Sequence, residues 1–182
     1  MLLLYKFVCR ATEMCILVQN KVIVEKKRIQ SQLQQKGFGE RTEREFVLDL
    51  KEALYLLEKK SITLKGSNGK KLSKKALLQY AEKKEKDFYT KFIVFRDLRD
   101  RGFCVKTGFK FGFDFRVYPR GKKPGQAHTQ WVVHVAAQEE RVSMPGFSRM
   151  VRLAGNIRTM LIVAVVDSEN DINYYTIDRI TP

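Results

Sequence analysis

Tyr118 and His128 are the two side chains best suited to proton chemistry in this chain, and ten residues separate them. Tyr118 closes the run Phe113-Asp114-Phe115-Arg116-Val117-Tyr118 and is followed by Pro119, which places the phenol at the end of a strand. His128 follows the basic, turn-rich segment Gly121-Lys122-Lys123-Pro124-Gly125. An imidazole exchanges protons near neutral pH, and a loop can present it to a bound molecule. Spacing alone also allows a purely structural tyrosine. A phenol and an imidazole on a cationic surface suit proton transfer beside a phosphate. In RNA the 2′-hydroxyl attacks its own phosphate if a base takes its proton, an acid protonates the departing 5′-oxygen, and a cation faces the non-bridging oxygens. Tyrosine, histidine and lysine can supply those three parts.

The charge balance favours such a substrate. The 182 residues carry 35 Lys+Arg against 20 Asp+Glu, a formal charge of +15. A surplus of that size points to a polyanion, because each neutralised phosphate releases counterions. Other chemistries lack their residues. There is no Walker loop, dinucleotide-binding glycine pattern or nucleophile elbow. A metal-dependent nuclease needs several acidic ligands on adjoining strands, and Asp114 stands nearly alone there. Glu82-Lys83-Lys84 has Glu-x-Lys spacing but a helical context. Cys9, Cys15 and Cys104 are odd in number and lack metal-ligand spacing, so they read as thiols in a reducing cytoplasm. No metal or cofactor is expected. The apolar opening from Met1 to Cys9 is too short to span a bilayer. Met14 is an alternative start.

Periodicity supplies the elements that must position the pair. Cys15 to Val24 alternates and reads as a hairpin turning at Gln19-Asn20. Arg28 to Gln35 reads as a helix stopped by Gly37. Thr42-Glu43-Arg44-Glu45 fits a capping box for a helix whose buried face is Phe46, Leu50, Ala53, Leu54 and Leu57. Ile62 to Leu64 is a short strand, and Gly66-Ser67-Asn68-Gly69 a turn. Ser73 caps a helix with Leu77, Tyr80 and Ala81 inward, and Glu82 to Asp87 is a solvated break or a charged helix surface. Phe88, Phe92, Phe95 and Leu98 continue an apolar stripe to Arg101-Gly102.

The second half changes period. Phe103 to Lys106, Phe113 to Tyr118 and Trp131 to Ala136 read as strands, with His134 in a core or edge role. Ser143 and Pro145 open a helix buried through Phe147, Met150, Val151, Ala154 and Ile157, which leaves Arg149, Arg152 and Arg158 off that stripe. Met160 to Val166 is a central buried strand, Asp167 to Asp171 an acidic turn, and Tyr174 to Ile180 the last strand. The fold class is α/β: an α+β N-terminal domain, 1–87, and a C-terminal domain, 88–182, of plan β-β-β-α-β-β.

The run Val105-Lys106-Thr107-Gly108-Phe109-Lys110-Phe111-Gly112, with Phe113 to Tyr118, resembles the archaeal tRNA-splicing (tRNA-intron) endonucleases. So do Asp97-Leu98-Arg99-Asp100-Arg101-Gly102-Phe103 and Val151-Arg152-Leu153-Ala154. The resemblance runs from about Leu48 to the C-terminus and is weak before Phe38. It implies a restriction-endonuclease-like catalytic domain that cleaves precursor tRNA at the bulge-helix-bulge of exon–intron junctions. Cleavage in that family needs no metal and leaves a 2′,3′-cyclic phosphate and a 5′-hydroxyl. Tyr118 matches the family's general base and His128 its general acid. Arg152 and Arg179 match the arginines that sandwich a flipped bulge base, a general use of guanidinium planes in RNA recognition. The acidic turn, Asp167, Glu169 and Asp171, matches a loop inserted into a basic pocket of a neighbouring subunit, so a homotetramer is implied. The family lysine follows an arginine before the penultimate strand. Here that arginine is Arg158, an RNA-facing candidate, and the next residue is Thr159, which carries no charge. This leaves several readings: an endonuclease in which Arg158 or a lysine from elsewhere substitutes, an impaired or altered endonuclease, or a non-catalytic structural and RNA-binding subunit of a heterotetramer.

Overall fold

The computed structural model describes residues 14–66, 69–108 and 112–180. The apolar opening with Cys9, the middle of the turn expected at Ser67-Asn68, and Phe109-Lys110-Phe111 of the family-like run lie outside the described residues. The chain divides into two compact units, one ending at Lys84 and the other beginning at Glu85.

In the first unit, β1 (Met14–Val18) and β2 (Lys21–Val24) form the expected hairpin, with Gln19 in the left-handed region at φ 50°. They are followed by α1 (Lys27–Gln35), β3 (Glu40–Arg41), β4 (Phe46–Asp49), α2 (Leu50–Glu58), β5 (Thr63–Lys65), β6 (Lys71–Leu72) and α3 (Lys74–Lys84). The strands make one sheet ordered β3-β4-β2-β1-β5-β6. Its core includes Cys15, Val22, Leu48, Ala53, Leu54 and Leu64, all fully buried.

The helix expected from a Thr42 capping box begins later. Phe46, Val47 and Leu48 are strand residues, because β4 pairs with both β2 and β3 and all three side chains bury there. Thr42 closes the turn before β4, its N–H and hydroxyl donating to the Glu45 carbonyl at 2.8 and 3.0 Å. The cap belongs to Asp49, whose carboxylate accepts from Lys51 N–H at 2.8 Å. Glu52 completes the box, accepting from Asp49 N–H and also from Gly39 N–H. Ser73 caps α3 as expected, accepting from Ala76 N–H.

The second unit consists of α4 (Phe88–Asp100), β7 (Cys104–Thr107), β8 (Phe115–Tyr118), β9 (Trp131–Ala137), α5 (Met144–Asn156), β10 (Met160–Val166) and β11 (Ile172–Ile177). The sheet order is β11-β10-β9-β8-β7. The β9–β10 pair is parallel, with α5 as its crossover; every other pair is antiparallel. The middle strand is therefore β9, whereas β10 is flanked by β9 and the edge strand β11. The last strand runs from Ile172 to Ile177, earlier than its apolar residues indicated, because pairing resumes at Val166–Ile172, directly after the five-residue acidic turn Asp167 to Asp171.

Helices cover both faces. Phe95 of α4 meets Phe115, ring centroids 6.0 Å apart. Val132 and Leu161 pack with Ala154 of α5, helped by Met150, Leu153 and Ile157. Since Phe115 pairs with Val133 and successive strand residues face opposite ways, α4 and α5 lie on opposite sides. After β7, the Gly108 N–H donates to Asp114 O at 2.9 Å, and a Cβ at Gly108 would sit 2.6 Å from Phe113 O. No helix among the described residues is long and apolar enough to cross a membrane.

Candidate active site

The sheet register brings Tyr118, the residues after His128, and Thr159 to one end of the sheet. β8 ends at Tyr118 where β9 begins: Val117 pairs with Trp131, and the Gln130 N–H donates to Val117 O at 2.8 Å. The parallel pairing of Met160 with Trp131 puts the start of β10 at the same end. β11 runs antiparallel to β10, Ile177 opposite Leu161, so Arg179 emerges there as well. The strand ends, not the helices, therefore assemble the candidate residues.

Tyr118 is 5% exposed. By alternation it shares the α5 face with Arg116, which is paired with Val132. The connection from Pro119 to Gln130 turns twice, through Lys122 N–H to Pro119 O and Gln126 N–H to Lys123 O, both 3.0 Å. Gly121 and Gly125 sit at φ 73° and 84°, which glycine adopts at no steric cost. One end of the loop is fastened by the Arg120 guanidinium over the Phe103 ring, 5.0 Å to the centroid, with Phe103 in turn 5.0 Å from Trp131. His128 is exposed.

Thr159 is half-buried, and its hydroxyl lies 3.2 Å from Thr129 O and 3.0 Å from Gln130 O. The end of α5 fixes its backbone. Thr159 N–H donates to Ala154 O at 3.1 Å, and Arg158 N–H to Gly155 O at 3.0 Å. These are the two bonds of a Schellman ending, whose turning residue is normally glycine. Here it is Arg158, at φ 52°, a conformation costing a non-glycine residue about 1 kcal/mol. The Arg158 side chain is exposed.

Arg152 and Arg179, distant in sequence, line one cavity of about 550 Å³ together with Arg149, Leu153 and Asn156. Both guanidinium groups are exposed. Arg149 also borders a second cavity of about 480 Å³ with His134, Glu140, Arg141 and Ser143. The acidic turn is shaped by Asp167, whose carboxylate accepts the N–H groups of Glu169 and Asp171 at 2.9 and 2.8 Å. Glu169 and Asp171 are exposed, and Asp167 half-buried.

Sequence reasoning missed a second charged cluster. Asp114 is not alone: it accepts from Val135 N–H at 2.8 Å, faces Lys91 Nζ at 3.0 Å and His134 Nδ1 at 3.3 Å. Burial alone would push Asp114 up, but His134, the Val135 N–H and Lys91 together hold it below the usual carboxylate range. The hydrogen bond to Asp114 raises His134 against its burial. Burial pulls Lys91 down, and Asp114 and Glu85 more than offset that. This cluster lies at the β8 start, away from Tyr118, and serves to anchor the sheet. No group of His, Cys, Asp and Glu among the described residues could hold a metal ion.

Family comparisons cover both units. Residues 88–174 match the tRNA intron endonuclease catalytic C-terminal domain, and residues 15–78 match the N-terminal domain of the same family. The chain belongs to the tRNA intron endonuclease family. The likeness thus reaches back to Cys15, further than the motifs had carried it. The chain is 39% identical over 152 residues to the tRNA-splicing endonuclease of Thermococcus onnurineus, covering 84% of this chain and 86% of that one. It is 37% identical over 145 residues to that of Methanothermobacter thermautotrophicus, at 80% and 84% coverage. The tRNA-splicing endonuclease of Pyrococcus furiosus is 34% identical over 160 residues, 87% and 91% of the two chains. As a family member it has the α/β architecture of an N-terminal unit and a catalytic-type C-terminal unit.

Proposed function

We propose that this chain cleaves precursor tRNA at bulge-helix-bulge junctions, by attack of a 2′-hydroxyl on the adjacent phosphate and without a metal ion. The reading rests on one observation: the register of β8, β9 and β10 brings Tyr118, the His128 loop and the Arg158-Thr159 corner to one sheet end. Tyr118 takes the 2′-proton, the 2′-oxygen forms its bond to phosphorus, and the P–O5′ bond breaks. His128 gives its proton to the departing O5′, leaving a 2′,3′-cyclic phosphate and a 5′-hydroxyl. Arg158 supplies positive charge to the non-bridging oxygens. It is the cation next to Thr159 in the chain, and it holds a left-handed backbone that glycine would adopt more easily. No cofactor takes part.

Arg152 and Arg179 hold a flipped bulge base between guanidinium planes, a role supported by the cavity they share. The acidic turn docks into a basic pocket of a neighbouring subunit, and a homotetramer spaces two sites to cut two bulges. The test is single-turnover cleavage of a bulge-helix-bulge RNA by the purified chain in EDTA. Y118F and H128A each lower the rate at least about 100-fold if they act as base and acid; wild-type rates in both would remove them from the chemistry.

One observation favours a second reading. Thr159 stands where the family lysine would, carries no charge, and commits its hydroxyl to two backbone carbonyls. Under that reading the chain is a non-catalytic RNA-binding subunit. It would be inert alone, become active with a catalytic partner chain, and gain cleavage of its own in T159K.

A further inference from the structure

The Thr159 hydroxyl reaches the carbonyls of Thr129 and Gln130, the two residues that follow His128. It has one proton and faces two acceptors, Thr129 O at 3.2 Å and Gln130 O at 3.0 Å. The Gln130 N–H is already bonded to Val117 O, beside Tyr118. The Thr159 backbone is held independently by its N–H bond to Ala154 O at the end of α5. One side chain therefore joins the end of α5, the start of β9 and, through β9, the end of β8.

The loop needs such a fastening. Its two turn bonds close over Pro119–Lys122 and Lys123–Gln126, before His128. Gly121 and Gly125 add freedom at its centre. Arg120 secures the loop at its start. What holds Thr129 and Gln130 therefore bears directly on the position of the imidazole, one residue away.

We propose that Thr159 is a positioning residue: its hydroxyl latches the backbone after His128 to the α5–β10 corner and so sets the general acid against the leaving oxygen. In this chain the position has exchanged a charge for a latch. The proposal rests on the endonuclease reading above. Valine has threonine's shape without the hydroxyl, and serine keeps the hydroxyl. A displacement of a catalytic group by about an ångström costs up to about 100-fold in rate, so T159V slows cleavage about tenfold or more, in kcat rather than KM, and T159S recovers most of the rate.

The leaving group separates positioning of the acid from general damage. A substrate with sulfur in place of the scissile O5′ expels a thiolate, which needs no proton. T159V then cleaves the sulfur substrate at the wild-type rate while remaining slow on the oxygen substrate, and H128A shows the same pattern. Equal slowing of T159V on both substrates, or no slowing on either, overturns the latch. If H128A is not slowed on the oxygen substrate, the assignment of the acid has failed instead.

A second measurement needs no turnover. His128 and His134 are the two histidines of the chain, so labelled imidazole NMR gives one signal from the loop and one internal control. The latch predicts that T159V shifts or broadens the His128 signal and leaves His134 in place, and that T159S restores it. An unchanged His128 signal in T159V overturns the proposal even if the wild-type chain is inert alone.

Discussion

The carboxylate of Asp114 lies 3.3 Å from His134 Nδ1 and, through its other oxygen, 3.0 Å from Lys91 Nζ, so one half-buried acid joins α4, the start of β8 and the middle of β9. The same carboxylate accepts Val135 N–H. This relationship ties helix to sheet at the end of the domain remote from Tyr118.

The first prediction concerns its loss. Removing the acceptor from a partly buried cluster costs about 1–3 kcal/mol, because Lys91, His134 and the Val135 N–H lose it together. D114A lowers the unfolding free energy of the C-terminal unit by an amount of that order in denaturant titration. A change within about 0.5 kcal/mol, as at ordinary surface positions, would show that the cluster contributes nothing.

The second concerns pH. His134 is raised above 6.5 by Asp114 and Glu140, against its burial and the Lys91 charge. Its contribution is complete below the unfolded value, about 6.5, and is lost as pH rises through the higher folded value. Asp114 is held below 3.8, so its contribution is present above that value and lost as pH falls through the lower folded one. Melting temperature therefore declines on both sides of a plateau. H134N removes the alkaline decline specifically; an unchanged alkaline limb in H134N would assign it to another group.

The third separates two caps. D49A costs about 1 kcal/mol, since Asp49 satisfies the Lys51 N–H at the start of α2. T42A costs less, because Thr42 closes only an exposed turn. The reverse order in chemical denaturation would restore the cap that spacing alone placed at Thr42.

That pair of residues also marks how far the sequence could be read. Both capping boxes fit an acceptor followed by a glutamate at +3. Deciding between them required knowing that Phe46 to Leu48 is paired on both edges, which is a long-range fact. The amphipathic helices and the apolar strands were legible because burial imposes a local period on each. The order β11-β10-β9-β8-β7 was not, and neither was the middle place of β9. Tyr118 and His128 stood out by residue type and setting. The hydroxyl bonds of Thr159 cross 29 and 30 residues, and only the parallel register of β9 and β10 brings them within reach. A β-branched hydroxyl three residues beyond a helix end and directly before a strand was the available signal.

The fourth prediction tests the assigned cation. R158G relieves the left-handed strain, so the folded domain becomes more stable by up to about 1 kcal/mol, while cleavage falls about 100-fold through loss of charge beside the phosphate. Stability and activity thus move in opposite directions. If R158G cleaves at the wild-type rate, the charge comes from another residue.

The fifth concerns the base sandwich. R152A or R179A weakens binding of a bulge-helix-bulge RNA by about 1–3 kcal/mol, the scale of one stacked base. Neither affects a duplex without bulges to that extent. Equal weakening on both RNAs would indicate phosphate contact in place of stacking.

The central claim is that this chain cuts RNA through the substrate's own 2′-hydroxyl. The most direct measurement is single-turnover cleavage in EDTA of a bulge-helix-bulge RNA carrying one 2′-deoxy nucleotide at the scissile position, beside its all-ribose parent. The expected result is that the parent is cut to a 2′,3′-cyclic phosphate and a 5′-hydroxyl and that the deoxy substrate is left whole. Cleavage of the deoxy substrate at a comparable rate would contradict it.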